Sequence, residues 1–127
     1  MIVVILFILN KIYIRPIIIA GEYPSIMKIF VLSIPNFYEA VCGSFMLTVL
    51  GITLNMKVIP QAKRISENSI LSIAITFSSI YVITQELKIH NIGGRNVYDP
   101  YDLIFSIAGI SVSAFFLFGY LSKLQDK

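Results

Sequence analysis

What most restricts this chain is the length of its charge-free runs. Leu103 to Leu121 is 19 residues without a single Asp, Glu, Lys or Arg, and Phe37 to Leu54 is 18 residues with only Glu39, near its start. Ile70 to Thr84 adds 15 uncharged residues and extends through Leu87. Crossing the ~30 Å hydrocarbon core of a bilayer takes about 20 mostly apolar helical residues. Inside lipid, a backbone satisfies its own N–H and C=O groups only as a helix or a closed barrel. With 57% hydrophobic and 13% charged residues in 127, the chain has too little polar surface for a soluble domain and too much apolar surface for disorder. The sequence therefore predicts an all-α polytopic membrane protein.

The N-terminal segment is more polar. MIVVILFIL is purely apolar, but Asn10, Lys11 and Arg15 follow, and Pro16 precedes a second apolar run from Ile17 to Ala20. A short first span that kinks or ends near Pro16 is expected. With no basic segment before it and no small-residue cleavage site after it, this segment reads as a retained anchor and not a signal peptide. Between Gly21 and Pro35, Glu22, Pro24 and Lys28 surround IMKIFVLSI, which predicts a loop and a short amphipathic interfacial piece. The expectation is a four-helix transmembrane bundle in a single domain, 1–127, with spans at approximately 1–16, 37–54, 70–87 and 102–121. Alternating spans leave both termini on one side.

Lys and Arg concentrate on the cytoplasmic side of membrane proteins. Here Lys57, Lys63, Arg64, Lys123 and Lys127 fall on one side, and Lys11, Arg15, Lys28, Lys88 and Arg95 on the other. The density of the first set in the short Met56 to Ser69 connection favours that side, and with it both termini, as cytoplasmic in a cell inner membrane.

Polar chemistry gathers between Thr84 and Asp102, TQELKIHNIGGRNVYDPYD. Asp99, Pro100 and Asp102 have the spacing of a helix start: an acidic cap, Pro at the first position and a carboxylate at the third. Asn36 and Glu39, after Pro35, repeat the pattern. Two capped N-termini would then meet at one membrane face, beside a loop with Gly93, Gly94 and Arg95 whose guanidinium suits a phosphate. The candidate ligand-binding residues are Glu86, Arg95, Asp99, Asp102, Gln85 and Glu39. Simple capping and anchoring is the stronger account of the two aspartates. Glu86 ends the third span at a depth that demands a partner, for which Arg95 is the candidate.

Other classes find no support. Ten basic and seven acidic residues are scattered, without the stripe that a nucleic-acid partner requires. Cys42 is alone, which fits a small packing residue. His90 has no second histidine for a metal site, and neither a nucleophile elbow nor a Walker loop is present. No catalytic residue, metal or cofactor is expected. Small residues recur at helical spacing: Ala40, Ser44, Thr48 and Gly51 on the second span, Ser69, Ser72, Thr76 and Ser79 on the third, Ser106, Gly109 and Ser113 on the fourth. They predict close helix packing.

Gln85 and Glu86, Arg95, Asp99 and Asp102, and Gly109 together resemble the VanZ-like family of small bacterial membrane proteins. The resemblance covers about 25 residues. It departs at Ser106, where the family tends to show Asn, and at IPNFYEAV, which lacks the family's basic and histidine residues after the proline. It implies a polytopic bacterial membrane protein, in a family associated by name with teicoplanin resistance, and no defined reaction. The function expected is binding of a lipid or cell-wall precursor head group by the polar cluster. Two alternatives are an accessory subunit that packs on a larger membrane protein through its small-residue faces, and a transporter component working as a homo-oligomer.

Overall fold

The computed structural model describes residues 2–87 and 99–125. The described residues form α1 (Ile2–Leu9), a π-helical turn (Asn10–Ile14), α2 (Arg15–Ala20), α3 (Ser25–Lys57), a 3-10 turn (Gln61–Lys63), α4 (Glu67–Glu86) and α5 (Pro100–Gln125). Three helices are long and apolar enough to cross a membrane: α3, α4 and α5 as far as Tyr120. They pack with α4 antiparallel to α3 and α5 parallel to it. Ser44 meets Ser78, and a β-carbon on Gly51 would touch Ile70, which fixes α3 against α4. Phe30 stacks edge-on against Phe105 at 5.2 Å, and Gly109 lies against Phe37 and Ala40, which fixes α3 against α5.

The interior is made of small residues and the exterior of large apolar ones. Leu71 is the largest fully buried side chain, and the others are Ser33, Ser44, Ser78, Ser106 and Ser113. Phe77, Phe115, Phe116 and Tyr120 are all more than half exposed. A soluble protein reverses this distribution. In lipid, where apolar surface gains nothing by hiding, close backbone approach and interhelical hydrogen bonds hold helices together. At Gly109 an added β-carbon would lie 2.6 Å from the Phe37 carbonyl oxygen and 3.0 Å from Ala40 Cβ, so only glycine permits this crossing.

Three expectations are corrected or narrowed. Of the loop and short amphipathic piece expected between Gly21 and Pro35, the loop ends at Pro24, and the rest is no separate piece: helix runs unbroken from Ser25 to Lys57, and Asn36 and Glu39 lie inside it. Pro35 lacks an N–H, so the Val31 carbonyl loses its helical partner. The helix persists because its N-terminal third packs against both α2 and α5. Next, of the kink or end expected near Pro16, the end is absent: the helix does not stop at Pro16. It widens instead into the π-turn just before it, where Arg15 N–H donates to the Asn10 carbonyl, five residues back, and helix resumes to Ala20. A widened turn accommodates a ring that would otherwise press on the carbonyl four residues earlier.

The third correction concerns the face of α4. Ile70, Leu71, Ala74, Ser78 and Val82 are buried, whereas Ser69, Ser72 and Thr76 are exposed and Ser79 is half-buried. Ser72, Thr76 and Ser79 each donate to the carbonyl four residues back, at 2.8–2.9 Å. A hydroxyl satisfied by its own helix can face lipid. The small residues anticipated on the other two spans do face inward: Ala40, Ser44 and Thr48 on α3, and Ser106, Gly109 and Ser113 on α5, are buried.

Candidate functional site

The antiparallel register of α3 and α4, carried on from the Ala40 and Val82 contact, brings the end of α4 level with Asn36. Ser25 to Pro35 therefore extends about 15 Å beyond α4 at a rise of 1.5 Å per residue. Phe30 and Phe105 each lie five residues from the start of their helices, so the N-termini of α3 and α5 are level at this end. Two helix starts meet at one face, as expected, but the one on α3 is at Ser25 and not at Asn36.

Eight polar side chains are buried among the described residues, and they divide by position. From Ala40 toward the far end, all are paired. Ser44 Oγ donates to the Ala40 carbonyl at 2.8 Å and bonds Ser78 Oγ at 2.9 Å. Thr48 donates to the Ser44 carbonyl, and Ser113 to that of Gly109, both at 2.8 Å. The Asn55 amide donates to the Ile65 carbonyl at 2.9 Å and accepts from its N–H at 3.1 Å. In the half beyond α4, Asn10 Oδ1, Ser33 Oγ and Ser106 Oγ have no partner among the described residues.

These three atoms are close to one level of the bundle. Ser33 lies between Phe30 and Phe37 on the face of α3 that meets α5, and Ser106 lies between Phe105 and Gly109 on the facing helix; both are 0% exposed. Asn10, 3% exposed, comes from the other side. Phe7 shares a cavity of about 230 Å³ with Tyr38, Glu39 and Cys42, so the chain descending from Phe7 to the Gly21–Pro24 turn passes α3 near Pro35 at Asn10. The Val31 carbonyl, whose helical donor Pro35 removes, belongs to the same turn of α3.

The predicted site residues spread differently around this level of the bundle. Asp102 is half-buried, one turn before Ser106 on the same face of α5. Asp99 caps α5, its Oδ1 accepting from Tyr101 N–H at 2.9 Å. This confirms the cap geometry and commits one of its oxygens. Glu86 is half-buried at the end of α4, while Gln85 is exposed. Glu39 does not join them, since it is exposed on the α1 side of α3, in the cavity with Phe7. Arg95, Gly93, Gly94 and His90 lie outside the described residues. Asn10 and Ser33 were not anticipated, because neither carries charge nor stands in a helix-start pattern. Among the described residues no group of His, Cys, Asp and Glu is placed to hold a metal ion.

No family model matches the chain, and no similar curated protein or solved structure was found.

Proposed function

We propose that this is a multi-pass inner-membrane protein, with residues 2–20 forming a fourth crossing against α3, that binds a polar head group at the level of Ser33 and Ser106, between α3 and α5. A lipid or cell-wall precursor supplies the head group. The segregation of polar pairing carries this reading: among the described residues every buried polar side chain is satisfied in one half, and three side-chain oxygens have no partner in the other. An unsatisfied buried polar atom costs about 1–3 kcal/mol. Such a cost, concentrated at one level, suits a site whose guest supplies the missing bonds. Asp102, Glu86 and Asp99 stand at the mouth, with Arg95 proposed to complete the rim and to take an anionic group. The resemblance to VanZ-like proteins on the same rim residues agrees with a cell-envelope ligand.

The reading as an accessory subunit held through Ser106 and Gly109 is disfavoured, because both face α3 within the chain. Native mass spectrometry of protein gently extracted from its host membrane tests the head-group site. Wild type is expected to retain a defined polar lipid or precursor that Ser106→Ala and Asp102→Asn lose, with helical content unchanged. Equal retention by all three would end the proposal.

A further inference from the structure

The opposite end of the bundle has a different construction. A groove of about 250 Å³ runs along the contact of α3 and α4, with Leu50 and Leu54 on one wall and Ile73 and Phe77 on the other, all four exposed to the surroundings of the helices. Its floor exists because Gly51 has no side chain: a β-carbon there would meet Ile70 Cγ2 at 2.7 Å. The groove ends against Ile59 and Ile65 in the α3–α4 connection.

That connection is basic and held in place. Lys57, Lys63 and Arg64 are exposed, and Glu67 is the one acid between Met56 and Ser69. Asn55, itself lining the groove, clamps Ile65 through both backbone groups. Arg64 is anchored to the end of α3, donating from Nη2 to the Met56 carbonyl at 2.7 Å and from Nε to the Ile59 carbonyl at 3.4 Å. The positive charge thus belongs to the connection against which the groove ends.

We infer that this end binds an anionic phospholipid, one acyl chain lying in the groove and the phosphate resting on Lys57, Lys63 and the outer side of Arg64. The charge complementarity decides the class of occupant. The groove lies between two helices apolar enough to cross a membrane, so its guest is a hydrocarbon chain, and the surplus of positive charge in the connection at its end favours a head group with net negative charge over a zwitterion. An acidic peptide would put polar backbone against walls that offer almost nothing to bond. This site is independent of the head-group site, which lies at the other end of α3.

The test is the full chain in nanodiscs of equimolar phosphatidylglycerol and phosphatidylcholine, with retained lipids read by native mass spectrometry. Wild type is expected to favour phosphatidylglycerol by about ten-fold or more, since each basic residue near an anionic surface is worth roughly five-fold. Lys57→Gln with Lys63→Gln, which leaves the Asn55 clamp and the Arg64 cap intact, should lower the preference to about five-fold or less, the share left to Arg64. Ile73→Trp, which fills the groove from its exposed wall, should lower phosphatidylglycerol retention with every charge in place. Equal retention of the two lipids by wild type overturns the site. So does a preference that the lysine changes leave undiminished, or one indifferent to Ile73→Trp, which would reduce it to surface charge. Ser106→Ala should leave this preference untouched, so the two ends stand or fall separately.

Discussion

The two halves of α3 solve one problem in opposite ways. From Ala40 to Asn55 the helix is zipped to α4 and α5 by glycine crossings and paired hydroxyls, and its buried polar atoms are satisfied within the protein. From Ser25 to Pro35 it has no α4 beside it, it loses a backbone bond at Pro35, and it shares its level with three side-chain oxygens left unpaired among the described residues. The first half shows what small residues do when packing is their whole purpose. The second departs from that economy in several features at once, and a binding site is where such departures are expected to cluster.

The comparison is open to attack at the closed half first. Gly109→Val places carbon where the Phe37 carbonyl stands, and overpacking of this kind costs about 1–3 kcal/mol or more. Its expected result is the largest drop in unfolding midpoint of any single change named here, read by circular dichroism during denaturing-detergent titration. Asn55→Ala strips both bonds from the Ile65 backbone and should cost about 1–3 kcal/mol. Limited proteolysis should then cut between Val58 and Ser66, where wild type resists.

Smaller effects sharpen the contrast. Ser44→Ala removes the bond to Ser78, and interhelical bonds in lipid average about 0.6 kcal/mol. Ser33→Ala and Ser106→Ala, by contrast, remove hydroxyls that have no partner among the described residues. Each should leave detergent stability unchanged or raise it by up to ~1 kcal/mol, because an unsatisfied buried group is lost. If Ser106→Ala weakens the purified bundle as much as Ser44→Ala does, the two halves are not different in kind.

Much of this was legible in the residues, and the failures share a cause. Asp99, Pro100 and Asp102 announced the start of α5, and the hydrogen bond from Tyr101 N–H to the Asp99 carboxylate is there, because a cap is a local event. Asn36 and Glu39 displayed the same letters and form no cap. Whether helix continues through Pro35 depends on Phe30 meeting Phe105, a contact between residues 75 positions apart. Ser78 was passed over for Ser72, Thr76 and Ser79 because, on a helix whose only charges are at its two ends, hydroxyls that bond their own backbone give no sign of which face turns inward. The Asn55 clamp on Ile65 spans ten positions, from the end of α3 across the 3-10 turn, and has no pattern to read.

The sequence by itself determined the solvent and the helical state, since charge-free runs of this length leave a backbone one way to satisfy its own groups in lipid. It also placed the cap of α5 and the inward small residues of α3 and α5. Only the tertiary structure decided where α3 begins, which face of α4 is inside, and which buried hydroxyls find partners. Those outcomes depend on what stands opposite each residue across a helix contact, and distance along the chain does not record that.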